Sequence, residues 1–233
     1  WLVEPMPAGK PTGIASGDFE YLLLEDGTAS IVAYNGKEKD LTLPDTLDGY
    51  TVSTIGAKAF SGNGKITELT LPEGITCLED AAFASCRKLT AVHLPDSLQQ
   101  LGANPFVNCA KLTDLHLSEE HPCLKVVDGA LIDYAQQRII CYPSALEATS
   151  FTVPDGIATI GEDAFAGASA LQEILLPQSV TAIADRAFAS CSGLAGLTLP
   201  DGVTTIGAEA FRSCSGLSQL TIPDGIDHIS QQT

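Results

Sequence analysis

Residues 71–95 read LPEGITCLEDAAFASCRKLTAVHLP, and residues 199–223 read LPDGVTTIGAEAFRSCSGLSQLTIP. Both open on Leu-Pro-acid-Gly, carry Ala-Phe near the middle, place a cysteine three residues after the phenylalanine, and close on Leu-x-x-apolar-x-apolar. Working outward, phenylalanine recurs at Phe60, Phe83, Phe106, Phe165, Phe188 and Phe211. Four of these five steps are identical, and the step from 106 to 165 is more than twice as long. Proline keeps the same beat at Pro72, Pro95, Pro154, Pro177, Pro200 and Pro223, with Ser118 where another would fall. A unit of this length with that leucine spacing is a leucine-rich repeat.

Each unit has a readable local structure. In Leu112-Thr-Asp-Leu115-His-Leu117 the last four positions alternate, the sign of a strand. Pro-Asp-Gly then turns the chain, with proline fixing φ and glycine accepting a positive one. A second short β-like segment follows, as in Val203–Gly207, and Ala-Phe-x-x-Cys-x-x-Leu has helix-like spacing for about one and a half turns. One unit cannot bury its apolar face alone, whereas stacked units can. The expected fold is a β-rich solenoid: a right-handed superhelix of ~23-residue coils with a parallel sheet on the concave face and short β or 3-10 segments elsewhere. Its core columns are the phenylalanines, Ile55/Leu78/Leu101/Ile160/Ile183/Ile206, and Leu89/Leu112/Leu171/Leu194/Leu217.

The ends and the long gap depart from this beat. Residues 1–16 hold three prolines and two glycines without periodicity and read as a lead-in. Residues 17–43 read as an N-terminal hairpin cap around Asp26-Gly27. Regular repeats occupy 44–117 and 154–229. Between them 118–153 reads as an enlarged coil with a hairpin turning at Ala135-Gln136-Gln137, and 230–233 as a tail. Together 17–229 form one domain.

These stretches, with the Leu47-Asp-Gly-Tyr50-Thr-Val52 insertion and Asp128-Gly129-Ala130-Leu131…Cys141-Tyr142-Pro143, closely resemble the BspA-type leucine-rich repeats over about residues 18–229. That resemblance implies a secreted or surface-attached protein of host-associated bacteria or protozoa, and an adhesin-like binding role. Ser118 for Pro, Ala168 for Cys, Pro105 for Ala and Ala184 for Gly depart from the pattern.

Composition narrows the function. The chain has 12 basic and 29 acidic residues, a net charge of −17. Such a surface repels phosphate backbones and anionic lipid heads, so nucleic acid and membrane surfaces are disfavoured partners. No apolar run is long enough to span a bilayer. The start, Trp1-Leu2-Val3, lacks the pattern of a signal peptide, and the chain reads as a mature or trimmed form. Nucleophile elbows, zinc-protease motifs and P-loops are absent, so no enzyme, catalytic residue or cofactor is expected.

Cys86, Cys109, Cys191 and Cys214 share one repeat position and read as small buried hydrophobes with free thiols. Cys77 reads as a packing residue, and Cys123 and Cys141 flank the hairpin closely enough to meet. The acids after each proline (Asp45, Glu73, Asp96, Asp155, Asp201, Asp224) and Glu119 after Ser118 form a column that suits turns and, less specifically, Ca²⁺. His93 and His116 lie one repeat apart on the outward face, beside Asp114. They read as solvent-facing strand residues, a pH-sensitive patch, or two zinc ligands lacking an evident third, and no metal site is assigned.

Alternation places Glu68, Thr70, Ala91, His93, Asp114, His116, Glu173, Leu175, Gly196, Thr198, Gln219 and Thr221 outward on the sheet. This face has no pocket signature and suits a protein partner, with a host surface or matrix protein implied by the resemblance. Tyr134, Arg138 and Tyr142 form a second candidate patch, since tyrosine and arginine often anchor interfaces. A passive spacer displaying another domain is the alternative. A monomer is expected.

Overall fold

The computed structural model of the chain describes residues 13–226 and 228–229. Residues 1–12 of the expected lead-in and the 230–233 tail lie outside that range. The fold is a β-solenoid of coils about 23 residues apart, without a helix among the described residues. Two ladders follow the repeat. One joins Asp40–Thr42, Glu68–Thr70, Ala91–His93 and Asp114–His116 in parallel, and continues as the pairs Ser150–Thr152/Glu173–Leu175 and Gly196–Thr198/Gln219–Thr221. The other joins Tyr50–Ile55, Cys77–Leu78 and Gln100–Leu101, then Arg138–Cys141, Thr159–Ile160, Ala182–Ile183, Thr205–Ile206 and His228–Ile229.

The segment expected to be helix-like is a turn, and its hydrogen bonds explain why. Ala59, Ser61 and Asn63 donate back to carbonyls three residues earlier, while the alternate Lys58, Phe60 and Gly62 amides donate to Asp80, Ala82 and Ala84 of the next coil. Lys58 and Gly62 have positive φ, 59° and 77°. Each left-handed residue turns the chain, so every second N–H points along the stack rather than along a helix axis. The corner thus becomes a third intercoil ladder. It recurs from Ala81, Phe83 and Ser85, from Asp163, Phe165 and Gly167, and from Arg186, Phe188 and Ser190.

Inside, like residues stack. Ring centroids lie 4.8 Å apart for Phe60–Phe83, 5.7 Å for Phe83–Phe106, 5.4 Å for Phe165–Phe188 and 5.5 Å for Phe188–Phe211. Offset stacking at this distance adds to the burial of apolar area. The cysteine column sits beside it. The thiols of Cys86, Cys109, Cys191 and Cys214 donate to the carbonyls of Phe60, Phe83, Phe165 and Phe188 of the preceding coil. All seven cysteines are free, Cys123 and Cys141 included.

The core is divided in two. One buried cluster runs from Tyr21 to Cys141 and a second from Ala130 to Ala210. Each half begins with three antiparallel strands, Ile14–Ser16/Phe19–Leu23/Ala29–Tyr34 and Leu124–Val127/Ala130–Asp133/Arg138–Cys141, followed by parallel coils. The enlarged coil is therefore a second copy of the cap, lodged inside the stack. Ile14–Ser16, within the stretch expected as a lead-in, pair with Phe19–Leu23 in that first sheet.

Candidate binding face

The outward rows follow from register. Asp40, Glu68, Ala91 and Asp114 pair in one row, and Thr42, Thr70, His93 and His116 in the next. Between them Leu41, Leu69, Val92 and Leu115 point into the core. In the second half Ser150 pairs Glu173, Thr152 pairs Leu175, Gly196 pairs Gln219 and Thr198 pairs Thr221. Glu68, Asp114, His116, Glu173, Leu175, Thr198, Gln219 and Thr221 are exposed, while Thr70, Ala91, His93 and Gly196 are half-buried. Leu175, at 52 %, is the most exposed of the large apolar side chains described.

The histidine rings stack with centroids 4.4 Å apart and planes 14° from parallel. Glu68 Oε1 lies 2.8 Å from His93 Nε2. The Asp114 carboxylate instead accepts from the hydroxyl of Thr113 at 2.7 Å. Among the described residues no group of three or more His, Cys, Asp or Glu is placed to hold a metal ion. Within the turn acids, Glu73 accepts from the amides of Asp96 and Ser97 of the next coil, so that carboxylate serves as an intercoil cap.

The second candidate patch does not assemble. Tyr142 is 2 % exposed and stacks on Phe165 at 5.3 Å, taking the phenylalanine position of its coil. One repeat period back from Phe165 lands on it, which is why its ring goes inward. Arg138 is half-buried, and its guanidinium donates to the Leu101 carbonyl at 2.8 Å, bridging the two halves. Only Tyr134 of the three remains exposed.

A further histidine, His121, belongs to no motif of the sequence. It is 2 % exposed and stands one period after Leu98, in the column of Ile75 and Leu98. Its Nδ1 accepts from the amides of Leu124 and Cys123, so Nε2 carries the hydrogen donated to the Leu98 carbonyl at 2.9 Å. The imidazole satisfies backbone groups where the chain leaves the regular repeat. The repeat period alone is the signal that places it.

Stacked parallel coils with an exposed strand face form a leucine-rich-repeat scaffold of the protein-binding kind. The chain belongs to the BspA-type leucine-rich repeat family, whose model matches residues 34–127 and 140–233 in six copies. Among solved structures it is similar to a leucine-rich repeat protein from Eubacterium ventriosum (TM-score 0.58, 19 % identity, 90 % of this chain and 71 % of that one). It is also similar to the leucine-rich repeat protein of T. pallidum (TM-score 0.51, 26 % identity, 91 % and 83 %) and to the pneumococcal vaccine antigen PcpA (TM-score 0.53, 18 % identity, 95 % and 84 %). A search of curated proteins finds no significant match.

Proposed function

We propose that this chain is a non-enzymatic extracellular binding module. Its exposed strand face, from Glu68 and Thr70 through His93, Asp114 and His116 to Glu173, Leu175, Thr198, Gln219 and Thr221, contacts a protein partner, a host surface or matrix protein. The carrying observation is the in-register display of these side chains from ladders whose own backbone groups are largely paired. Rigid presentation lowers the ordering cost of association. The described residues hold no helix that could cross a membrane. Similar structures include a pneumococcal vaccine antigen, which fits a surface location. The net charge of −17 favours partners with a basic contact surface.

The test is solid-phase binding to basement-membrane extract and to solubilised epithelial surface proteins. Wild-type chain is compared with a variant carrying Glu68→Ala, His93→Ala, His116→Ala and Leu175→Ala. The variant should bind roughly tenfold or more weakly with unchanged circular dichroism. Equal binding by both would refute the strand face as the contact surface.

A further inference from the structure

The strand face is not continuous. Leu71, Leu94, Val153 and Leu199 each donate from the end of one strand to the next coil, reaching His93, His116, Leu175 and Thr221 at 2.8–3.0 Å. The corresponding step, from Leu176 to Thr198, is not made, and Glu173–Leu175 does not pair with Gly196–Thr198. Gly196 stands where the first half has Ala91, and Thr198 where it has His93, each at the same distance from its own phenylalanine. A cleft of about 270 Å³ opens there, lined by Leu175, Leu176 and Pro200 and, in about equal measure, by polar groups that include Glu173, Gln178 and Gln219. That is below the roughly 300–1,000 Å³ that encloses a drug-sized molecule, and it suits a single side chain.

The charge pattern says which side chain. Glu68 and Glu173 occupy equivalent positions, eight residues after Phe60 and Phe165. Glu68 meets His93, whereas Glu173 faces a strand carrying Thr198 and makes no ion pair among the described residues. Two features therefore meet at one place: a cleft of mixed lining with an apolar wall at Leu175 and Leu176, and a carboxylate without an ion pair among the described residues. A long aliphatic stem ending in a positive charge complements both.

We propose that this cleft receives a lysine or arginine side chain of the protein partner, a reading that rests on the strand face being the contact surface. The stem lies against Leu175 and Leu176, and the cationic head meets Glu173. The opening in the ladder is what lets the stem sink below the face.

Nuclear magnetic resonance titration of the labelled full chain with Nα-acetyl-lysine methylamide tests this. Saturable shifts are expected at the amides of Leu176, Gly196 and Leu197. The uncharged Nα-acetyl-norleucine methylamide, and the lysine probe on Glu173→Gln, should each bind roughly fivefold more weakly, the factor of an exposed ion pair. Gly196→Val should close the slot and abolish the shifts. If Gly196→Val fails to fold, Glu173→Gln decides alone. No saturable shift, an equal response to norleucine, or an unaffected Glu173→Gln overturns the proposal. Failure here with retained loss of partner binding in the strand-face variant sinks only the cleft. Failure of the strand-face variant removes the wider reading as well.

Discussion

Phe83→Ala is the most informative single perturbation. Phe83 is fully buried and stacked on both sides, against Phe60 at 4.8 Å and Phe106 at 5.7 Å. Removing a buried phenylalanine costs about 3–5 kcal/mol, and the upper end applies where neighbours cannot collapse. Here they cannot, because the Phe83 amide donates to Pro105 and the Phe60 amide to Ala82, which hold both flanking coils in register. Among the described residues Phe211 has one ring neighbour, at 5.5 Å, and is half-buried, so Phe211→Ala should cost about 1–2 kcal/mol. A typical domain holds about 5–15 kcal/mol in total, so Phe83→Ala should remove a large share of the stability of the first half. The second half has its own cluster and should not follow. Native-state amide exchange reads this directly. Amides of Ala29–Val92 should open more easily by the full cost, while those of Ile157–Ile206 stay within about 0.5 kcal/mol of wild type. Equal loss of protection in both halves would show one cooperative core and refute the division.

Two further outcomes follow from the corners and the thiols. Gly62 has φ of 77° with nothing within 4 Å of where a Cβ would sit, so Gly62→Ala should destabilise by about 1 kcal/mol for backbone reasons alone; a urea midpoint at or above wild type would contradict this. Burial pushes the thiols of Cys141 and Cys191 up to about 12, from 9.0 in an open chain. The folded state therefore holds these protons more tightly. Their contribution is complete below pH 9 and is lost between pH 9 and 12, at about 1.4 kcal/mol per pH unit for each thiol. Urea midpoints of Cys191→Ala should fall less steeply over that range than those of wild type, and parallel curves would mean that Cys191 ionises in the folded chain.

What could be read from the residues and what could not divides along the inside and outside of the coils. A buried column is constrained by both neighbours, so Phe60, Phe83 and Phe106, or Ile160, Ile183 and Ile206, must recur at the period of the fold. The same rule places Tyr142 and His121, each one period from a column member, although their residue types suggest interfaces and ligands. Tyr34 stands further than one period from Phe60 and still stacks on it at 5.3 Å, because the coil between carries the Leu47–Tyr50 excursion. The corners escape the sequence for a different reason. Lys58, Ala81, Asp163, Arg186 and Glu209 adopt φ of 54–59° without being glycine, so no residue type announces the left-handed turn. Intercoil hydrogen bonds from the amides of Lys58, Ala81, Asp163 and Arg186, invisible along the chain, hold the first four there. Alternation alone sufficed to say that Glu68, His93 and Leu175 face outward. It could not say that His93 stacks on His116 while the ladder parts beside Gly196, since both depend on how one coil settles against the next. The outer rows answer only to water and to a partner, and their spacing therefore carries no record of which residues act together.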